Sequence, residues 1–464
     1  MSIQEIVSPI DGRVAYNYEY LDREGALSSI TLAEEAQREW AHTPIARRVE
    51  VCMAFLDAYA ARLETNAEEI TRMMGKPLAQ ARGEFTGTLN ERTRYLCEIA
   101  ESVLADEVLP AKEGLHRSVR RVPVGLVLDI AAWNYPLAVA VNVIVPGVLA
   151  GNAVMIKHAP QTALVARQFA EAFERAGAPE GLVQSFMISH PMVAEMLATR
   201  RFGFASFTGS VHGGHEVARA VAADNFIGTA FELGGKDPAL VLDDCDFDFT
   251  IENLVDGAFY NAGQSCCAVE RIYVMRPLFD RFVEAYADLT SRYVVGDPLD
   301  PATNLGPVVN AAAARRIRDQ VAQALDSGAR RALDASKWSL PDTSECYVAP
   351  EVLIDVREDM DLMHEETFGP AIGISAVDSV EEAIAKMNDS RYGLTASVWT
   401  KDLDRAEQLA NRIEAGTVFA NRCDYLDPAM PWTGIKDSGC GASLGRYGFE
   451  ALTRLKNIHL RERA

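Results

Sequence analysis

The stretch GLVLDIAAWNYPLAVAVNVIVPGVLAGNAVMIKH, residues 125–158, contains two short apolar runs on either side of a longer apolar segment. GLVLDIA (125–131) and NAVMIKH (152–158) have the length and the continuous apolar character of strands that are buried on both faces. The segment between them, 136–150, is long enough for a buried helix. Strand, helix and strand in this order predict a crossover between neighbouring parallel strands, which is the basic unit of an α/β fold.

The same alternation continues on both sides of this stretch. Amphipathic helices precede it, and strands and helices alternate after it as far as residue 235. A second series begins beyond Glu232–Lys236, where Gly, Gly and Pro interrupt the pattern. Its apolar strands are 237–244, 271–275, 371–378, 395–400 and 416–421. The two series predict two doubly wound, Rossmann-like parallel-sheet lobes, with the ligand site in the cleft between them.

The composition is that of a globular protein, with 48% hydrophobic and 24% charged residues in a chain of 464. This length predicts two or three domains. The formal net charge of -21 argues against nucleic acids and anionic membrane surfaces as partners, because both attract clustered Lys and Arg. The segment 136–150 is shorter than the roughly 20 apolar residues of a membrane-spanning helix. Because the first residues lack a basic region followed by an apolar run, we expect a cytoplasmic protein.

The cysteines indicate neither a disulfide framework nor a metal site. No two have the Cys-x-x-Cys spacing, and no histidines stand at zinc-ligand intervals from them. The segment NAGQSCC (261–267) is the one place where two thiols are adjacent. From the residues alone, each of these two thiols is either a nucleophile or a buried small side chain.

A glycine-rich segment, FTGSVHGG (207–214), follows an apolar strand and opens a helix. The backbone N–H groups at such a helix start can receive a phosphate, although an ordinary strand-to-helix turn has the same sequence. Other motifs fail. The chain has no phosphate-loop pattern, and HEETF (364–368) lacks the second histidine of a zinc-protease helix.

Eight segments taken together identify a family. They are AWNYP (132–136), MIKHAPQT (155–162), FTGS (207–210), FELGGKDP (231–238), NAGQSCC (261–267), GDPLDPATNLGP (296–307), EETFGP (365–370) and PWTGIKDSG (431–439). In order and spacing, from Gly75 onward, they resemble the aldehyde dehydrogenase superfamily. The resemblance implies an NAD(P)-dependent, non-acylating enzyme that oxidises an aldehyde to the carboxylic acid through a cysteine thiohemiacetal and a thioester.

The resemblance also implies three catalytic residues. It makes Cys266 the nucleophile and Cys267 a packed neighbour, and a thiolate suits both attack on a carbonyl and breakdown of a thioester. Glu232 matches the base that activates water. Asn134 matches the amide that binds the oxyanion together with the backbone N–H of Cys266. Taken singly, Glu232 could instead solvate a turn, and Asn134 is an ordinary turn residue.

The cofactor implied by the resemblance is NAD or NADP. Its expected contacts are Trp133, Lys157, Gly209, Ser210, Gly214, Leu233, Glu366 and Phe368. Lys157 matches a ribose-binding lysine, and Glu366 and Phe368 match the pair that holds the nicotinamide ribose. Pro160 stands where many NAD-preferring relatives carry a glutamate that repels a 2′-phosphate, so the choice between NAD and NADP is open. His158 either adds positive charge there or is a neutral strand residue.

The substrate implied by the resemblance is a small aldehyde. Candidate pocket residues are Tyr135, Asn142, Arg422 and Trp432. Asn142 stands where relatives often have an aromatic residue, and Trp432 replaces a phenylalanine of the family pattern. Arg422 either faces an anionic tail or lies in a surface loop. The segment KHAPQT (157–162) is also similar to semialdehyde dehydrogenases, but the sequence does not identify the aldehyde.

Two alternative functions remain at this stage. A CoA-acylating dehydrogenase would transfer the acyl group to CoA instead of water, and the presence of Glu232 favours water. A non-catalytic structural protein on the same fold would be expected to lack the nucleophile or the cofactor residues. Cys266, Asn134 and Lys157 are all present.

The family's architecture implies three parts of the chain. The cofactor-binding domain is expected at 1–105 and 124–232, and the catalytic domain at 233–447. A small β oligomerisation element is expected at 106–123 and 448–464. This element implies a homodimer or a homotetramer.

Overall fold

The computed structural model describes residues 2–462. The strands are β1 (Ser2–Val7), β2 (Val14–Tyr20), β3 (Glu107–Val108), β4 (Leu115–Pro123), β5 (Leu126–Ala131), β6 (Ala153–His158), β7 (Val183–Ser185), β8 (Phe204–Thr208), β9 (Gly228–Glu232), β10 (Asp237–Val241), β11 (Val269–Met275), β12 (Arg330–Arg331), β13 (Glu351–Ile354), β14 (Ala371–Val377), β15 (Thr395–Trp399), β16 (Thr417–Ala420), β17 (Gly439–Cys440) and β18 (Thr453–Arg461).

The α-helices are α1 (Arg23–Trp40), α2 (Ile45–Ala60), α3 (Leu63–Met74), α4 (Leu78–Gly83), α5 (Asn90–Leu104), α6 (Pro136–Ala150), α7 (Ala163–Arg175), α8 (His190–Ala198), α9 (Val211–Asp224), α10 (Phe247–Phe259), α11 (Phe279–Thr290), α12 (Ala311–Asp326), α13 (Asp361–His364), α14 (Val380–Asn388), α15 (Leu403–Ala410) and α16 (Gly445–Ala451). One π-helical turn, Glu84–Leu89, joins α4 to α5.

The stretch 125–158 forms β5, α6 and β6, as predicted, at the centre of a six-stranded sheet. The strand order is β17-β9-β8-β5-β6-β7, and β5 to β9 are parallel. After β7 the chain returns to the other side of β5 to form β8, so the strand order reverses between β5 and β8. In doubly wound sheets the ligand binds outside the carboxyl ends of the strands at such a reversal.

The second predicted lobe is a seven-stranded sheet in the order β12-β13-β14-β11-β10-β15-β16. Its neighbours are parallel except at β12, which pairs antiparallel with β13. Each sheet has its own large apolar core. The C-terminal part of the chain then returns to the first sheet, where β17 pairs antiparallel with β9.

Helix α6 has a buried apolar surface on nearly all sides because it lies under other helices as well as against the sheet. Val139 is its one residue that is not fully buried. The helix begins with Pro136 at its first position, where a missing N–H has no cost. It ends at Gly151, whose φ of 93° suits a residue without a Cβ atom.

Two features were missed by the sequence analysis. β1 and β2 pair as an antiparallel N-terminal hairpin, where no strand was predicted. The edge strand β12 and its neighbour β13 were also not predicted. These strands are short or alternate partly exposed polar residues, so they lack the continuous apolar pattern on which the other strands were recognised.

A separate three-stranded antiparallel sheet has the order β18-β4-β3. β18 pairs with β4 over its whole length, from Thr453 opposite Pro123 to Arg461 opposite Leu115. The structure thus brings the segments 106–123 and 448–462 together. Their role in oligomerisation stays a prediction.

No helix in the described part of the chain is long and apolar enough to cross a membrane. Among residues 2–462, no group of three or more His, Cys, Asp and Glu side chains is arranged to hold a metal ion.

Candidate active site

Several predicted site residues lie at the carboxyl edge of the first sheet. Asn134 follows β5, Lys157 lies near the end of β6, Gly209 follows β8 and Glu232 ends β9. Because the carboxyl ends of parallel strands meet at one edge, residues far apart in sequence come together here.

Two cavities open at this edge. One, of about 190 Å³, contains Trp133, Gly209, Ser210, Leu233, Glu366 and Phe368 among its lining residues. The other, of about 230 Å³, is lined by the π-helical turn, α5, α6 and the loop before Trp432. Cys266, Asn134 and Glu232 line both cavities, so the three predicted catalytic residues lie where the cavities meet.

The loop that carries Cys266 has an unusual backbone. Asn261, Ala262 and Gly263 all have positive φ, at 53°, 56° and 68°. A Cβ atom at Gly263 would lie 2.3 Å from the carbonyl oxygen of Gly369, so glycine is required there. The Asn261 side chain donates hydrogen bonds to the carbonyls of Asn134 and Gln264, at 3.1 and 3.3 Å. Buried amide contacts therefore hold this strained loop against Asn134.

The two adjacent thiols have different surroundings. Cys266 is half-buried and faces both cavities. Cys267 is buried in a small apolar cluster with Leu394, Trp432 and Leu444. A hydrogen bond to Cys266 and burial raise the pKa of Cys267 well above its usual value, so its thiol stays protonated.

Asp424 lies behind the nucleophile loop. Its Oδ1 accepts hydrogen bonds from Ser265 Oγ at 2.8 Å and from Cys267 Sγ at 3.0 Å. These donors are the residues on either side of Cys266. Asp424 therefore holds the loop from both sides of the nucleophile.

Asn134 is buried just before the N-terminus of α6. Its backbone carbonyl accepts from Asn261, but within residues 2–462 no hydrogen bond engages its side-chain amide. That amide faces the junction of the two cavities and is free to donate to an oxygen bound there.

Glu232 accepts a hydrogen bond from Ser443 Oγ, with 2.5 Å between Ser443 Oγ and Glu232 Oε1. Burial raises the pKa of Glu232, while the Ser443 hydrogen bond and the charge of Arg92 oppose that rise. A carboxylate with a raised pKa near the nucleophile has the properties of a general base.

The 190 Å³ cavity has the features of a dinucleotide site. It opens onto the N-terminus of α9, where the Ser210 side chain caps the helix by accepting from Gly213 N–H. The rings of Trp133 and Phe368 form another wall, in an edge contact with centroids 5.5 Å apart. Glu366 accepts from the N–H of Gly235 at 3.0 Å, and burial raises the pKa of Glu366 to about 7.

Two further predicted cofactor residues pack against one another. A Cβ atom at Gly214 would lie 2.8 Å from Leu233 Cδ2, so glycine lets the Leu233 side chain pack closely against the helix start. This close approach leaves the first N–H groups of α9 beside the cavity, where a phosphate fits.

Lys157 and His158 end β6 and are both buried. Lys157 forms no hydrogen bond or ion pair with any described residue, and burial lowers its pKa to about 8. A buried ammonium group without a partner fits a ligand acceptor such as a ribose hydroxyl. Lys157 is not among the residues that line the 190 Å³ cavity. It lies near the carboxyl end of the neighbouring strand β6.

Of the two alternatives for His158, a charged residue or a neutral strand residue, the structure favours the neutral one. Burial lowers its pKa to about 4. Its Nδ1 accepts from the N–H of Ala159, so Nε2 carries the proton and donates to the carbonyl of Pro136 at 3.1 Å. His158 therefore links β6 to the start of α6 and adds no charge to the site.

Of the four candidate substrate residues, Tyr135, Asn142 and Trp432 line the 230 Å³ cavity. The hydroxyl of Tyr135 is buried and has no hydrogen-bond partner among the described residues. Arg422 is exposed at the surface, with its guanidinium over the ring of Tyr425, and is not among the lining residues. The structure thus places Arg422 in the surface loop.

The cation of this cavity is Arg92, which the sequence analysis did not single out. Arg92 is 5% exposed, and its Nη1 donates to the carbonyl of Ala138 at 2.9 Å and to Asn142 Oδ1 at 2.8 Å. It forms no ion pair with any carboxylate in residues 2–462. Ser443 and Asp424 were also missed. All three residues contact partners that are distant in the sequence, and no local sequence pattern predicts such contacts.

Comparisons with known proteins agree with this geometry. A sequence model of the aldehyde dehydrogenase family matches residues 2–458. A succinate-semialdehyde dehydrogenase [NADP(+)] of Deinococcus radiodurans is 34% identical over 97% of this chain and 94% of its own length. The solved structure of a Streptococcus pyogenes succinic semialdehyde dehydrogenase with NADP+ matches with a TM-score of 0.93 at 28% identity, covering 98% of this chain and 99% of that one.

A further solved structure is a betaine aldehyde dehydrogenase from Staphylococcus aureus in complex with NAD+. It matches with a TM-score of 0.93 at 27% identity, covering 100% of this chain and 92% of that one. The chain belongs to the aldehyde dehydrogenase family. It is an NAD(P)-dependent enzyme that oxidises an aldehyde to the carboxylic acid.

Proposed function

We propose that the chain oxidises short aldehydes that carry an anionic group, with Cys266 as nucleophile, Asn134 as oxyanion donor and Glu232 as base. The observation that carries this proposal is the position of these three residues at the junction of the two cavities. A substrate carbonyl at that junction contacts the thiol from one side and the cofactor cavity from the other.

In the first step the thiolate of Cys266 attacks the aldehyde carbon, and the carbonyl oxygen becomes an alkoxide. The amide of Asn134 and the backbone N–H of Cys266 stabilise that oxygen. Loss of one such donor typically costs about 3 to 4 kcal/mol of barrier. The strained loop between Asn261 and Gly263 holds Cys266 in place during this step.

The cofactor would be held by residues of the 190 Å³ cavity together with Lys157 at the end of β6. Trp133 and Phe368 would lie beside the nicotinamide, Glu366 and Lys157 could bind ribose hydroxyls, and the Ser210 turn could receive a phosphate. The nicotinamide supplies the hydride acceptor that turns the thiohemiacetal into a thioester.

In the last step Glu232 takes a proton from water as the water oxygen attacks the thioester carbon. The carbon–sulfur bond breaks, Cys266 leaves as a thiolate and the carboxylic acid is released. The hydrogen-bonded position of Glu232 beside Cys266 supports this role.

The first experiment compares Cys266→Ser with Cys267→Ser in assays of NAD(P)H production with a panel of aldehydes. We expect Cys266→Ser to lose activity by a factor of at least about 1,000 and Cys267→Ser to retain most of it. Activity of Cys266→Ser near that of the wild type would overturn the assignment. Formation of an acyl-CoA when CoA is supplied would show that CoA replaces water.

The anionic substrate is supported by Arg92. Glu232 and Glu84 act on the buried guanidinium of Arg92 through their charges, but neither is in ion-pair contact with it, and a substrate carboxylate in the 230 Å³ cavity would supply that contact. Nearby Glu84 is already neutralised by Lys76, with 2.6 Å between the charged atoms. The buried hydroxyl of Tyr135 can donate to the same group. The names of similar semialdehyde dehydrogenases agree with this substrate class.

The test uses three four-carbon aldehydes that end in a carboxylate, a methyl group or an ammonium group. We expect kcat/KM to be highest for the carboxylate. Arg92→Met should lower kcat/KM for that substrate by about 100-fold and leave the methyl-terminated aldehyde much less affected. Arg422→Met, the same change at an exposed arginine, is the control. Preference for the ammonium-terminated aldehyde would contradict the proposal, because Glu91 and Asp256 also line the cavity.

We propose that the enzyme uses NADP as well as NAD. No acid stands at Pro160 to repel a 2′-phosphate, and Lys157 adds a positive charge at the same strand end. The KM values for NAD and NADP should therefore differ by less than about tenfold, and Pro160→Glu should raise the KM for NADP selectively.

We also propose the domain division into 1–105 with 124–232, 233–447, and an oligomerisation element at 106–123 and 448–464. The two separate sheets and the exposed β18-β4-β3 sheet support it. Exposed apolar side chains on that small sheet support assembly into a dimer or tetramer.

A further inference from the structure

We propose that Ser443 is a positioning residue that fixes the carboxylate of Glu232 for the water step, an inference that rests on the proposed role of Glu232 as base. Ser443 is buried, and its hydroxyl donates to one carboxylate oxygen of Glu232. The Thr208 side chain also hydrogen-bonds this carboxylate, so Ser443 is one of two hydroxyl residues that fix its orientation toward water.

The backbone on the Ser443 side of this hydrogen bond is fixed. Ser443 and Trp432 exchange two backbone hydrogen bonds, of 2.9 Å from Trp432 N to Ser443 O and 3.0 Å from Ser443 N to Trp432 O. The next residue, Leu444, is fully buried with a φ of 64°. A buried leucine in this backbone conformation persists only where its surroundings determine it, so the backbone that carries Ser443 is held in one conformation.

The Glu232 side is fixed as well. Glu232 ends β9, where it lies between Thr208 of β8 and Gly439 of β17. The N–H of Leu233 donates to the carbonyl of Ser438 at 3.1 Å. The segment that carries Ser443 is thus paired with the strand that carries Glu232. The hydrogen bond from Ser443 to Glu232 is an additional contact between these two segments.

The hydrogen bond also affects the protonation of the base. Burial disfavours the ionised form of Glu232, and the Ser443 hydroxyl favours it. The other charged and titratable groups around Glu232 are Arg92 on α5, Asp129 on β5 and the thiol of Cys266. Without the hydroxyl, the pKa of Glu232 should rise, and the base should be protonated over a wider pH range.

The experiment compares Ser443→Thr with Ser443→Val, which have the same shape and differ in the hydroxyl. For Ser443→Val we expect the acid limb of the kcat–pH profile to move up by about one pH unit, so that kcat measured well below the midpoint of that limb falls about tenfold. The first-turnover burst of NAD(P)H should persist, because acylation does not need the base. Ser443→Thr should keep the wild-type limb.

If the larger side chains of Ser443→Thr and Ser443→Val prevent folding, Ser443→Ala replaces them as the variant without the hydroxyl. Its thermal unfolding midpoint is measured to show that it is folded. A wild-type acid limb in the folded variant without the hydroxyl would overturn the inference. Glu232→Gln separates the two proposals. If Glu232→Gln loses turnover and Ser443→Val does not, only the role of Ser443 fails. If Glu232→Gln keeps turnover, the proposed base itself is wrong.

Discussion

At the scale of single residues, surroundings distinguish side chains of the same type. Cys266 faces two cavities, whereas Cys267 is buried and donates to Asp424. Arg92 is buried and lines the 230 Å³ cavity, whereas Arg422 is exposed and stacks on the half-buried Tyr425. These differences underlie the residue roles proposed here.

Lys157 leads to a prediction on pH. Its pKa of about 8 means that the ammonium form is present below pH 8 and is lost as the pH rises above it. If cofactor binding requires that ammonium, the KM for NADP should rise about tenfold from pH 7 to pH 9. Lys157→Arg, which stays charged, should remove this rise. The measurement is the KM for NADP between pH 6 and 10, and equal slopes for both proteins would contradict the prediction.

Asp424 leads to a second prediction. Asp424→Ala removes the acceptor for Ser265 and Cys267, so the nucleophile loop should lose its fixed position. We expect kcat to fall by about 100-fold, with NADP binding unchanged in a fluorescence titration. The matched change at the exposed neighbour, Asp427→Ala, should leave kcat within about twofold. Equal effects of the two substitutions would argue against a specific role for Asp424.

Cys266, Glu232 and Asn134 could be proposed as site residues from the sequence because each stands in a short segment that resembles the family, and the structure brings the three together where the cavities meet. Arg92 and Ser443 could not. Arg92 reaches across from α5 to α6, and Ser443 reaches Glu232 over more than two hundred residues of sequence. Such contacts depend on how elements pack, and a single sequence has no local signal for packing.

At the scale of elements, one buried pair links the π-helical turn to α6. Glu84 in that turn binds Lys76 at 2.6 Å and accepts the backbone N–H groups of Leu137 and Ala138 at 2.7 and 2.9 Å. Its carboxylate therefore satisfies the first turn of α6, which starts next to Asn134. Asn134, the proposed oxyanion donor, is therefore held in part by an acid far from it in sequence.

Glu84→Gln should destabilise the protein strongly, because it leaves Lys76 buried and without a counter-charge. We expect the free energy of unfolding to fall by about 3 to 5 kcal/mol in denaturant titrations. Glu64→Gln, which breaks the exposed pair with Arg82, should cost less than about 1 kcal/mol. A similar small loss for both variants would contradict the assigned importance of the buried pair.

Strand and helix types were predicted well where apolar residues run continuously, as in β5, α6 and β6. The hairpin of β1 and β2 was not, because its half-exposed residues alternate without a strong apolar face. The pairing of β17 with β9 could not be predicted either, because a strand of two residues has no detectable periodicity.

At the scale of the whole molecule, the exposed β18-β4-β3 sheet bears apolar side chains in contact with solvent. Val108 and Leu460 are 80% and 58% exposed. Apolar residues clustered on one exposed sheet are typical of an interface. The two lobes, in contrast, bury their apolar strands within the chain.

Leu460→Glu should therefore weaken assembly. We expect light scattering after size exclusion to give a multiple of 50.7 kDa for the wild type and a smaller species for the variant. Leu403→Glu, at a comparably exposed leucine on α15, should leave the mass unchanged. A wild type that elutes as a monomer, or a variant that assembles normally, would contradict the prediction.

The pairing of β17 with β9 affects how the enzyme becomes active during synthesis. The strand that completes the first sheet follows all the strands of the second sheet in the chain, so the second lobe must be translated before Glu232 receives its neighbours Gly439 and Ser443. A nascent chain that stops after the first lobe already carries the phosphate turn but has an unfinished catalytic edge. Competence for turnover is thus delayed until both lobes have been made and docked.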